Sequence, residues 1–164
     1  MPPKFSSLDI FSMAHQIEQK IYRFYEAMAN ENPNKYLREG FLWLANEKKN
    51  QLSSFEKLQR AVERINTSTI DNWAEVSLYF KALLDTKVIP ESINGNSLSQ
   101  ELQDEIGAIQ ISISFEKDTI LFLQELSRWV NPEDQKKIQQ LIEQEKGHVL
   151  KLFEMKKQVL ASTR

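Results

Sequence analysis

The 164-residue sequence has no cysteine, only four glycines and two histidines, and no long apolar run. The absence of cysteine excludes disulfide bonds, iron–sulfur clusters and cysteine-ligated zinc or iron, so carboxylates and histidines are the available metal ligands. No apolar run reaches the roughly 18 residues of a membrane span, and the first residues lack the apolar core of a signal peptide. These absences predict a soluble, cytoplasmic protein that does not enter a membrane.

Basic and acidic residues are nearly balanced in number. Lysine and arginine number 21 against 23 aspartate and glutamate, a net charge of −2. Without a basic stripe, a nucleic-acid partner is not expected. The length suits a single domain over residues 1–164, with a sizeable core.

Apolar residues recur at helical spacing over four long segments. The pattern predicts helices over Leu8 to about Ala29, about Asn34 to Arg64, and about Ser99 to Trp129, and a fourth that opens at Asn131-Pro132 and reaches about Gln158. Residues 66–97 form a long connection between the second and third helices, able to carry the chain along a bundle. The predicted fold is all-α, a ferritin-like four-helix bundle with a long crossover between helices 2 and 3.

Ionisable residues interrupt the apolar faces of these helices. Glu145 and His148 fall inside the stripe of the fourth helix, three residues apart and therefore on one face. Such a pair can offer an oxygen and a nitrogen ligand to an internal metal ion. Glu116 takes the place of an apolar residue in the third helix, and Glu18 lies within the stripe of the first. Taken singly, the fourth helix is better explained by Glu145 at the edge of the stripe and by a satisfied core histidine; the other helices change this balance.

The second helix adds Glu47 and Asn50, which occupy a gap in its apolar face; a surface salt bridge is the alternative for Glu47. Glu18 and Glu47 are 29 residues apart, as are Glu116 and Glu145, so the chain reads as two related helical hairpins. Four carboxylates in an apolar interior need compensating charge, and two divalent cations would supply it. Carboxylates that share protons, or that turn to the bundle ends, are the alternative.

At these positions the chain resembles the rubrerythrin family, which belongs to the ferritin-like diiron carboxylate proteins. The resemblance rests on four motifs: Ala14-x-x-x-Glu18 followed by Phe24-Tyr25, Leu44-Ala45-Asn46-Glu47-x-x-Asn50, Glu116 followed by Phe122, and Glu145-x-x-His148. It implies a catalytic Tyr25 that hydrogen-bonds near the site. It also implies metal ligands at Glu18, Glu47, Glu116, Glu145 and His148, with Asn50 in the place of a second histidine.

The resemblance implies reduction of hydrogen peroxide or dioxygen at two iron ions, with manganese or zinc as other possible metals. The rubredoxin module is absent, so an external electron-donor protein is needed. Because Asn50 stands in the place of a histidine, the metal ion held by the first hairpin should bind more weakly; His15 is a less favoured extra ligand for it. Ile113 stands where the family has a further carboxylate. The alternatives are a ferroxidase or iron-handling protein, and a non-catalytic helical-bundle interaction protein with a degenerate metal site. A homodimer is expected.

Overall fold

The computed structural model describes residues 5–85 and 105–162. Within these ranges the regular elements are all helical. They are α1 (Ser7–Glu31), α2 (Lys35–Glu56), α3 (Leu58–Glu63), a 3₁₀ turn (Thr67–Thr69), α4 (Trp73–Leu84), α5 (Glu105–Ser127) and α6 (Pro132–Ser162). None of the described helices combines the length and the apolar character that crossing a membrane would require.

Side-chain caps fix where three of the long helices begin. Ser6 and Asp9 form a capping box, in which each side chain accepts a hydrogen bond from the backbone N–H of the other residue. Asn34 and Asn131 each accept a hydrogen bond from the backbone N–H three residues later, at 3.2 and 2.8 Å. These caps satisfy N–H groups that would otherwise lack partners at the helix start. The two asparagines mark equivalent positions in the two hairpins.

Helices α1 and α2 pack together as one hairpin, α5 and α6 as a second, and α2 packs against α6. This arrangement confirms the predicted four-helix bundle. The second predicted helix is divided at Lys57, so α2 ends at Glu56 and α3 continues to Glu63. In the connection, α4 packs against α1 and α5 and buries Trp73 and Phe80 at one end of the bundle. Residues 86–104, including the predicted third-helix start at Ser99, lie outside the described residues.

The core has two apolar clusters with a polar layer between them. One cluster includes Ile21, Phe24, Met28, Leu37, Phe41, Leu44, Leu152 and Met155. The other includes Phe11, Ala14, Phe55, Leu58, Phe122, Leu126, Ile138 and Leu141. The buried polar residues of the layer are Glu18, Lys48, Gln51, Glu116, Thr119, Glu145 and His148. All four long helices contribute to this layer, so it is the candidate functional site.

Candidate metal centre

Lys48 lies at the centre of the polar layer with its side chain fully buried. Its ammonium Nζ donates hydrogen bonds to Glu18 Oε2 at 2.8 Å and to both carboxylate oxygens of Glu145 at 3.0 Å. Glu116 Oε2 lies 3.2 Å from the same nitrogen. One ammonium therefore contacts carboxylates from three other helices, α1, α5 and α6.

Two hydroxyl groups complete the hydrogen bonds of the outer carboxylate oxygens. Thr119 Oγ1 donates to Glu18 Oε1 at 2.7 Å, so both oxygens of Glu18 have partners. Tyr25 donates its hydroxyl proton to Glu116 Oε1 at 2.5 Å. Burial, with the neighbouring Glu116 carboxylate acting in the same direction, raises the pKa of Tyr25 well above its ordinary value. Tyr25 thus keeps its proton and fixes the orientation of Glu116.

His148 and Glu116 present buried atoms without hydrogen-bond partners. These atoms are Glu116 Oε2 and both ring nitrogens of His148. His148 Nδ1 lies 3.4 Å from Glu116 Oε2 and 3.3 Å from Glu145 Oε2. Two ligand atoms about 2.1 Å from one ion at a tetrahedral angle are about 3.4 Å apart. The spacing of Glu116, Glu145 and His148 therefore fits a metal ion.

The charges of the layer depend on one another. Burial raises the pKa of Glu145 to about 8, and the Glu116 carboxylate acts in the same direction. Burial would likewise raise the pKa of Glu116, but the Lys48 ammonium holds it well below its ordinary value. Burial lowers the pKa of His148, whereas contacts with the two carboxylates outweigh this and raise it to about 9. The carboxylates also keep the pKa of Lys48 well above its ordinary value despite burial. In the metal-free protein Lys48 and His148 are therefore both cationic at neutral pH, and a metal ion bound by His148 would displace its proton.

The structure brings together Glu18, Glu116, Glu145 and His148 as predicted, with Tyr25 beside them. The expected inward orientation of Glu47 and Asn50 needs correction. Asn50 is exposed. The Glu47 side chain is 40% exposed, and its Oε2 lies 3.9 Å from His148 Nε2, on the side away from Lys48. The polar positions that α2 buries are those of Lys48 and Gln51.

The other candidate, His15, lies outside the layer. Its Nε2 is 3.2 Å from Glu56 Oε1, and its ring stacks on Phe11 and Phe55. The structure therefore gives His15 a partner away from Glu18 and does not bring it to the carboxylate cluster.

The second hairpin repeats the first, but the number of residues that separates equivalent positions differs between the two helix pairs. It is 98 for α1 and α5 and 97 for α2 and α6. Buried positions of α1 recur in α5 after 98 residues, which pairs Glu18 with Glu116. Buried positions of α2 recur in α6 after 97 residues, as do the capping residues Asn34 and Asn131. The equal spacings of 29 residues, from Glu18 to Glu47 and from Glu116 to Glu145, predict one offset of 98 residues for both helices, which pairs Glu47 with Glu145. The structural offset instead pairs Lys48 with Glu145, and Gln51 with His148.

No protein-family model and no curated protein matches this chain. A crystal structure of a protein from Thermotoga maritima, provisionally described as a ferritin-like diiron-carboxylate protein, is similar over nearly the whole length. The sequences are 26% identical, the match covers 94% of this chain and 96% of the other, and the TM-score is 0.61. The fold is ferritin-like. This likeness supports the ferritin-like superfamily and does not distinguish rubrerythrins within it.

The buried group of Glu116, Glu145 and His148 is a candidate metal site in this bundle. The donor atoms of the second hairpin fit an ion by spacing and chemistry. The corresponding positions of the first hairpin hold the ammonium of Lys48 and the amide of Gln51, which do not supply the matching carboxylate and imidazole.

Proposed function

We propose that this protein binds a metal ion, with iron favoured, through Glu116, Glu145 and His148, and uses it to reduce hydrogen peroxide or dioxygen. The observation that carries the proposal is the convergence of buried donor atoms: His148 Nδ1 lies 3.4 Å from Glu116 Oε2 and 3.3 Å from Glu145 Oε2, and neither ring nitrogen of His148 has a hydrogen-bond partner. Buried polar groups are rarely left unpaired, so an imidazole without partners beside two carboxylates points to a bound cation. Two carboxylates and an imidazole suit iron, manganese or zinc, and the structural likeness favours iron.

The bound ion would pass electrons from an external donor to the substrate. Reduction of one hydrogen peroxide consumes two electrons and two protons and releases two waters. Among the residues of the chain, Tyr25 holds the ligand Glu116 in place through its hydroxyl, whereas Glu47, 3.9 Å from the outer nitrogen of His148, is too far away for a hydrogen bond to the ring.

A narrow cleft beside the polar layer has about 10 Å³ of free space, room for about one water-sized molecule, and so favours a very small substrate. Glu18 and Thr119 line it, together with Ile17, Ile21, Leu83, Phe115 and Phe122. The lining is mostly apolar, so it disfavours charged or bulky molecules. Dioxygen and hydrogen peroxide meet both conditions.

The test is metal analysis followed by turnover. Metal-free protein is incubated anaerobically with Fe(II), desalted, and analysed for iron per chain. His148→Ala should lose most of the iron, whereas His15→Ala, at the only other histidine, should retain it. Loaded protein given a chemical reductant should consume peroxide, and His148→Ala should not. Wild type that takes up no iron, or equal uptake by wild type and His148→Ala, would refute the proposal. Oxygen-dependent Fe(II) oxidation without reductant would indicate the ferroxidase alternative instead.

A second candidate is a non-catalytic bundle in which the ammonium of Lys48 does the work of a metal ion. The observation in its favour is that this single cation already contacts Glu18, Glu116 and Glu145. This candidate predicts no bound metal at all. The same iron analysis on wild-type protein therefore separates the two functions.

A further inference from the structure

We propose that Lys48 takes the place of a second metal ion, so that this bundle holds one metal ion together with one built-in ammonium. The inference rests on the proposed metal site at Glu116, Glu145 and His148 and determines how many ions that site accepts. It makes Lys48 the residue that sets the number of ions, although it is not a ligand.

The contacts of Lys48 are those of a central cation. Its nitrogen lies within 3.2 Å of carboxylate oxygens from Glu18, Glu116 and Glu145, and its side chain has no solvent exposure. The ammonium donates hydrogen bonds to Glu18 and Glu145 and forms an ion pair with Glu116, so it neutralises part of the charge of three carboxylates from different helices and holds them together. A metal ion in the same position would have to displace this ammonium from the same oxygens.

The repeat shows what the first hairpin lacks. At the 97-residue offset between α2 and α6, Lys48 corresponds to Glu145 and Gln51 to His148. The amide of Gln51 donates to Gln144 Oε1 at 3.0 Å instead of pointing a nitrogen lone pair into the layer. The first hairpin thus offers one carboxylate, Glu18, and the neutral amide oxygen of Gln51, which has no hydrogen-bond partner, where the second offers two carboxylates and an imidazole.

Charge leads to the same count. Glu18, Glu116 and Glu145 carry three negative charges when ionised, and Lys48 carries one positive charge. The remaining charge of minus two balances one divalent cation. A second divalent cation would leave an excess of two positive charges in an interior that is apolar on both sides of the layer, which is costly.

The test replaces the two divergent residues by their counterparts from the second hairpin, Lys48→Glu with Gln51→His. Metal-free wild type and variant are loaded anaerobically with Fe(II), desalted and analysed for iron per chain, with circular dichroism to establish folding. We expect one iron in wild type and two in the double variant. The control carries the same changes one residue along, Lys49→Glu with Asn50→His, at exposed positions, and should bind one.

Two irons in wild type, or no gain in a folded double variant, would overturn the inference. No iron in wild type but two in the double variant would uphold the role of Lys48 and refute the proposed function of the native chain; no iron in either would refute both.

If the double variant does not fold, Lys48→Gln serves instead. It should bind the first Fe(II) about tenfold more tightly or better, because no ammonium competes for the same oxygens. An unchanged dissociation constant in Lys48→Gln would overturn the inference.

Discussion

Removal of the Lys48 charge should destabilise the metal-free protein. Lys48→Met keeps an unbranched apolar stem and deletes the ammonium that hydrogen-bonds Glu18 and Glu145 and contacts Glu116. Breaking a buried ion pair by removing one partner costs roughly 3–5 kcal/mol. Because the pKa of Glu145 is already raised to about 8, that carboxyl can carry its proton at neutral pH and reduce the repulsion. We therefore expect a loss near the lower limit, about 3 kcal/mol.

The assay is urea unfolding of metal-free protein, followed by circular dichroism, with a chelator present. Lys49→Met is the matched control, because Lys49 is the next residue and is exposed. Its free energy of unfolding should change by no more than about 0.5 kcal/mol. Addition of Zn(II) should restore more stability to Lys48→Met than to wild type, since a cation then replaces the missing charge. Equal unfolding midpoints for Lys48→Met and wild type without metal would refute the argument that the ammonium holds the carboxylates together.

Three further predictions concern the same core. A Cβ at Gly40 would lie 2.6 Å from Met155 Cε, whereas one at Gly147 would meet nothing within 4 Å. In urea unfolding, Gly40→Ala should therefore lower the free energy of unfolding by about 1 kcal/mol, and Gly147→Ala should raise it by about 0.5–1 kcal/mol. The pKa of His148 is raised from 6.5 to about 9, so protonated His148 stabilises the metal-free protein fully below about pH 6.5, and this contribution is lost as the pH rises through 9. The free energy of unfolding should fall by roughly 3 kcal/mol over this range in wild type and by less in His148→Gln. Equal pH profiles of the two proteins would contradict this prediction. Tyr25→Phe removes a hydrogen bond to a buried carboxylate and should cost about 2 kcal/mol in the same assay, with no effect counting against that bond.

Much of this structure could be predicted from the sequence. Glu18, Glu116 and Glu145 were identified as buried because each stands on a line of apolar residues that cannot turn to solvent without exposing its neighbours. The same reasoning placed His148 inside. The four long helices and their pairing into two hairpins follow from periodicity and from the short connections, and these too are confirmed, whereas the division at Lys57 and the helix α4 in the connection were not predicted.

The second helix was misjudged because its apolar face is ambiguous. Leu52 favoured a face with Glu47 and Asn50 inward, yet the structure buries Gln51 and leaves Leu52 only partly buried. Lysine is rarely buried unless it is paired, so the sequence pattern favours Lys48, like Lys49, as a residue that reaches solvent. Its three partners come from distant parts of the chain, which a local pattern cannot show.

A usable signal was nevertheless present. Asn34 and Asn131 cap the second helix of each hairpin. Counting 14 residues from each cap gives Lys48 and Glu145. Alignment on the caps, rather than on the glutamates, would have revealed the substitution.

The polar layer has a mechanical consequence whether or not a metal is bound. Apolar side chains pack adequately against many neighbours, so a bundle with a uniform core could slide one helix along another. Here a slide of one turn, about 5.4 Å, would take a carboxylate out of reach of Lys48 and drive it among phenylalanines or leucines of either cluster. The charged layer therefore acts as an axial lock, fixing the register of all four helices as a buried polar residue does in a coiled coil.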